Sequence, residues 1–133
     1  MKPISFIVSV VIVCSLFCCQ AFAQKITIDS VVGVWKGTSL CQIKNSPCHD
    51  EIVVYHITKG NTPDSCSVQA NKIVNGVEED MGIVLFKLDK ANDELISLSY
   101  NSKWVFKLKN GKLEGTLIHD NSLFRIIQLS KTK

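Results

Sequence analysis

No stretch of this chain carries the G-x-S-x-G turn of a serine hydrolase, the H-E-x-x-H of a zinc protease, a phosphate loop or a dinucleotide-binding glycine fingerprint. Charge of one sign is scarce too: 15 Lys and Arg stand against 12 Asp and Glu, a net of +3, with the lysines interleaved among acids. So small an excess argues against a dedicated nucleic-acid surface. The cysteines do not fall into a C-x-x-C ligand spacing, so no metal centre is expected, and nothing implies a cofactor. A second compositional zone, an internal repeat and a sustained helical period are also missing, which leaves one domain built from strands.

What is present begins with MKPISFIVSVVIVCSLFCCQAFAQ: one cation at Lys2, an apolar run from Ile4 to Cys19, and small residues at Ala21 and Ala23. That is the pattern of a secretory signal peptide over residues 1–23, too short and too weakly flanked for a spanning helix. Cleavage is expected between Ala23 and Gln24, and the mature protein is expected to be secreted or periplasmic, with no stable membrane insertion. A lipid anchor on Cys18 or Cys19 competes, but Phe17 and Cys18 are not the small residues that such processing needs. Removing residues 1–23 from 133 leaves 110, expected to form a single β-barrel domain over 24–133. Of the six cysteines, Cys41, Cys48 and Cys66 remain. Export makes one disulfide plausible, and Cys41–Cys48 across a short polar loop is the favoured pair. Cys66 is then a small buried thiol, or an alternative partner for Cys48.

From Val31 onward, short runs rich in Val, Ile, Leu, Phe and Tyr are broken by Asn, Gly, Asp and Ser about every ten residues, an all-β spacing. Eight strands are predicted: 31–42, 51–58, 65–74, 82–88, 94–100, 103–109, 112–119 and 123–130. Asn75-Gly76 and Asn110-Gly111 are two-residue hairpin turns because both residue types tolerate positive φ. Asn92-Asp93, Asn101-Ser102 and Asp120-Asn121-Ser122 supply the other tight connections. Links this short force sequential antiparallel neighbours, and closure removes the free edges of the resulting meander. The expected fold is therefore an all-β, eight-stranded antiparallel up-and-down barrel. Gly82 marks a bulge or sharp bend, and Glu78-Glu79-Asp80 is either a solvated hairpin flank or a cation site.

Alternation along the first strand puts Trp35, Gly37, Ser39 and Cys41 inside and Lys36, Thr38 and Leu40 outside. In the last strand it groups Leu123, Arg125, Ile127 and Leu129, and closure between these strands is expected to stack the Arg125 guanidinium on the Trp35 indole. Gly33-Val34-Trp35 together with Arg125 resembles the lipocalin and avidin-like calycin barrels, and the chain as a whole resembles small secreted bacterial lipocalin-like proteins. The resemblance implies that Gly33, Trp35 and Arg125 form a structural plug, with the tryptophan sealing the closed end and the arginine packed over it. This chain is shorter than ordinary lipocalins and shows no C-terminal helical period, which argues against a roomy cavity.

Val53, Tyr55, Ile57, Val84, Phe86, Leu88, Trp104, Phe106 and Leu108 are the further inward positions, with His56 outward. Ser39, Tyr55, Phe86, Trp104 and Phe106 are the candidate contacts for a small apolar ligand bound non-covalently at the open end. The same aromatics can instead fill an eight-stranded barrel completely. A second reading makes the protein an extracellular interaction or inhibitory module, its partner another protein met by the loop Gln42–Asp50. A third is an enzyme using His49, His56 or His119 with a neighbouring carboxylate. No catalytic residue is assigned, because adjacent residues on a strand face opposite ways.

Overall fold

The computed structural model describes residues 24–99 and 101–133; the expected leader, with Cys14, Cys18 and Cys19, and Tyr100 lie outside the described residues. Eight strands follow a single turn of helix: α1 (Ile28–Val31), β1 (Gly33–Cys41), β2 (Glu51–Lys59), β3 (Ser65–Val74), β4 (Val77–Asp89), β5 (Glu94–Ser99), β6 (Ser102–Lys109), β7 (Lys112–His119) and β8 (Ser122–Lys131). Each pairs antiparallel with its sequence neighbours, and β1 pairs with β8, so the sheet closes into a barrel. The all-β, eight-stranded antiparallel closed barrel expected from the spacing is the fold found, with a lipocalin-like topology. Asn75-Gly76 and Asn110-Gly111 both adopt positive φ in successive residues, as do Asp120 and Asn121. These turns twist with the same hand as the strands they join.

Two expected boundaries move. Val31 begins no strand, because Thr27 accepts from the Ser30 amide while the Ser30 hydroxyl accepts from the Thr27 amide, a reciprocal cap that winds Ile28–Val31 into a turn of helix. And β4 starts at Val77 instead of Gly82, since the acidic flank pairs with β3 through Asn71↔Asp80 and Lys72↔Glu79. Gly82 does mark an irregularity: the register slips across Gln69 and Asn71, opposite it, and its φ is +108°.

The closed end is sealed by the segment before β1. Ile26, Val31 and Trp35 are all but inaccessible, and the indole Nε1 donates to the Val31 carbonyl at 2.7 Å. The expected Arg125 cover is absent. In the β1–β8 register Trp35 faces Lys131 while Arg125 faces Cys41, six residues farther along the strand, or about 20 Å at the usual rise. Lys131 takes the place instead, its Nζ 5.6 Å from the Trp35 ring centre and its stem lying where a β-carbon at Gly33 would stand. At the seam itself, Gly37 lets the two strands meet, since a β-carbon there would overlap the Gln128 carbonyl.

Candidate binding site

The barrel axis is full. Tyr55 and Phe106 meet edge to face at 6.3 Å between ring centres and Phe106 meets Phe86 at 5.5 Å. Phe106 sits in space that Gly115 leaves open, for a β-carbon at 115 would strike the ring. The void left among Tyr55, Ile57, Phe86, Leu95, Phe106 and Leu129 is ≈ 10 Å³, no more than the roughly 10–15 Å³ that a single water needs. Of the two outcomes open in the sequence, filled or hollow, the axis takes the first, and a ligand cavity of about 300 Å³ does not run down it.

At the open end Arg125 does a different job from the one expected. Its Nη1 donates to the Ser39 carbonyl, the Ser39 hydroxyl and the His49 carbonyl, each at 3.2 Å, and lies 3.6 Å from the Glu51 carboxylate. Both charged side chains are about seven-eighths buried, at 13% and 15% exposed. The guanidinium therefore ties the β1–β2 loop to the rim. Two further ties hold the same loop: the Cys41–Cys48 disulfide, whose Cα atoms are 5.9 Å apart, and the Cys41 amide, which donates to Asp50 Oδ1 at 2.8 Å. Tyr55 lies beneath. Burial pushes its phenol well above the usual value, the Arg125 charge pulling the other way and Glu51 adding to the rise. Cys66 is free and buried, and desolvation raises its thiol to about 11.

One accessible, partly apolar space is in the wall. β4 and β5 pair only at Lys87↔Ile96, Leu88↔Leu95 and Asp89↔Glu94; above these rungs the strands separate. The opening has a volume of ≈ 500 Å³, lined by Ile83, Val84 and Leu85 on one side and Ser97–Ser99 on the other, with Trp104, Ser102 and His119 between. Trp104 is half-buried and stands edge-on to Phe86 at 6.4 Å, so the core fixes its plane while one part of the ring meets the opening. Ser102 Oγ lies 2.7 Å from His119 Nδ1, and the Asp120 carboxylate is 3.3 Å from Nε2. This row of hydroxyl, imidazole and carboxylate clasps the β6–β7 hairpin partners and sets polar groups beside the apolar ones.

The remaining candidates do not converge. His49 is on the tied loop, with Nδ1 near the Pro47 carbonyl, and His56 is on the outer face of β2. His56 Nε2 and Asn71 Nδ2 both donate to Glu78 Oε2, at 2.8 and 2.7 Å, and these bonds hold the Glu78 carboxyl below the usual glutamate range. Glu79 lies 3.9 Å from Lys72, and Asp80 accepts from the Gly82 amide, so the acidic run is engaged in hairpin contacts. Among the described residues no group of three or more His, Cys, Asp or Glu side chains is placed to hold a metal. A recess of ≈ 740 Å³ at the closed end is lined by Ile26, Ile28, Pro63 and Leu88 together with charges that pair across it, Lys59 with Asp29 and Lys90 with Asp64. The loop Gln42–Asp50 is mostly exposed and polar; the exposed large apolar side chains cluster instead on β4 and β5.

Sequence reasoning missed Ile26, Lys131 and the wall opening. The Thr27–Ser30 capping pair was the available signal for the first, and the disparity between the run Val77–Leu88 and the short run after Asn92-Asp93 was the signal for the last. Comparison with protein-family models, with curated proteins and with solved structures yields no match.

Proposed function

We propose that this protein is an exported, non-catalytic binding module that takes a small apolar, ring-bearing molecule in the wall opening between β4 and β5. The observation that carries the reading is the ≈ 500 Å³ opening over Trp104, set against ≈ 10 Å³ on the axis. Its size falls within the range of small-molecule sites, and its lining is apolar with a few hydroxyl and imidazole groups to orient a ligand. Trp104 offers a flat face whose orientation is already fixed, which spares the ligand the entropy of ordering it. Of the residues first considered, Trp104 touches the ligand, Phe86 supports it, Tyr55 and Phe106 act through the packing of the core, and Ser39 anchors Arg125 at the rim. The test is titration with the neutral fluorescent probe N-phenyl-1-naphthylamine. Saturable one-to-one binding that Trp104→Ala abolishes and Trp35→Phe leaves intact is expected. Probe binding indifferent to Trp104→Ala, or no saturable binding at all, overturns the reading.

A further inference from the structure

The opening between β4 and β5 offers a ligand more than apolar surface. The ladder between the two strands stops at Lys87↔Ile96, and the next rung outward would join Leu85 to Leu98. Backbone direction follows from one bond: the Leu88 amide donates to the Asp64 carbonyl, on the β3 side, at 2.8 Å. Successive residues of a strand turn their N–H and C=O to opposite neighbours, so Lys87 and Leu85 turn theirs toward β5. By the same alternation Ile96 and Leu98 turn theirs toward β4. Leu85 and Leu98 thus face each other across the space they line, each with an N–H and a C=O and with no rung between them. Ser97, 6% exposed, stands in register with Trp104 and lines the same space.

Two features of the lining restrict what fits. Among its described residues there is no Asp, Glu, Lys or Arg, in contrast to the recess at the closed end, so a charged ligand would give up hydration without meeting a counter-charge. A pure hydrocarbon would cover the facing backbone groups without pairing them, and each group so buried carries a desolvation cost. A trans secondary amide meets both demands. It is neutral, and its N–H and C=O point in opposite directions, so one such group accepts from one strand while it donates to the other, as a peptide unit of an intervening strand would. An aryl ring attached to it reaches Trp104, because β6 lies next to β5 at a strand spacing of about 4.8 Å. We infer that the ligand of the wall opening is a neutral aromatic carboxamide whose secondary amide bridges the open rung between Leu85 and Leu98. This rests on the proposed binding over Trp104 and adds the polar half of the ligand.

The test is displacement of N-phenyl-1-naphthylamine from the mature protein by two compounds matched in shape, N-methyl-2-naphthamide and methyl 2-naphthoate. The ester lacks the N–H and is the more apolar of the two, so burial alone makes it the better competitor. The amide is instead expected to displace the probe at a concentration at least about fivefold lower, the worth of one hydrogen bond. Hydrogen exchange read residue by residue gives a second measurement: the amide of Leu85 or of Leu98 should exchange at least about tenfold more slowly in saturating N-methyl-2-naphthamide. If the probe binds over Trp104 but the ester competes as well as the amide, or if neither backbone amide slows, the bridge is refuted while the apolar site stands. If the probe does not bind saturably, the site itself is refuted and the bridge falls with it.

Discussion

Arg125→Met should uncouple the β1–β2 loop from the rim and destabilise the protein by about 3 kcal/mol. The substitution keeps the stem packing but removes the Arg125 donations to the His49 carbonyl and to both Ser39 oxygens, and it strands the Glu51 carboxylate at 15% exposure. Removing one partner of a buried pair costs about 3–5 kcal/mol; the lower end applies at a rim where some water reaches. Glu51→Gln is the contrasting perturbation, because the guanidinium keeps its three oxygen acceptors and only a 3.6 Å ion pair is lost, so about 1 kcal/mol is expected. Urea denaturation followed by tryptophan fluorescence measures both. With a slope of about 1.5 kcal/mol per molar, the midpoint should fall by about 2 M for Arg125→Met and by less than about 1 M for Glu51→Gln. Hydrogen exchange should quicken within Gln42–Asp50 in the first variant only. Equal losses in the two variants, or a loss below about 1 kcal/mol for Arg125→Met, would refute the assignment of a three-acceptor tie at this position.

Three other outcomes follow from the same geometry. Trp35→Phe should cost about 1–3 kcal/mol in thermal or urea melts, because the Val31 carbonyl loses a buried 2.7 Å donor, whereas Lys131→Met should cost less than about 1 kcal/mol, the exposed ammonium contributing little. The Glu78 carboxyl is held below its ordinary 4.5 by Asn71 and His56, so its stabilising contribution is complete above that value and is lost as pH falls through the folded-state pKa; Glu78→Gln should flatten the acid limb of a plot of melting temperature against pH below about 4.5. Cys66, buried with its thiol raised to about 11, should resist iodoacetamide at pH about 8 in the native protein and react once urea unfolds it.

The parts of this fold that were legible in the sequence are those set by short-range physics. Asn75-Gly76 and Asn110-Gly111 dictate turn type from two residues, alternation marks Val53, Tyr55 and Ile57 as core positions although Val54 between them is buried too, and a seven-residue separation places Cys41 and Cys48 within reach of one another. Register between the first and last strands is different in kind. Alternation fixes which face a residue takes, but sliding β8 along β1 by an even number of residues keeps every face unchanged. Trp35 could thus have met Arg125 or Lys131 on pattern alone, and the choice falls to Lys131 through the close approach at Gly37 and the space above Gly33. The wall opening was hidden for a related reason. It is a property of two strands that part company, and no single segment records it.

At the closed end the Thr132 amide donates to the Val34 carbonyl at 2.9 Å and Lys131 Nζ reaches the Ser30 carbonyl at 3.4 Å. The first described residues, whose Ile26 amide donates to Asp93, lie at the same pole, while the tied loop and the Trp104 window look toward the other half of the molecule. Fusion or tethering through either terminus leaves those features outward-facing, and a peptide joining Lys133 to Gln24 with new ends cut between Asn75 and Gly76 would yield a permuted barrel whose β3 and β4 no longer share a hairpin.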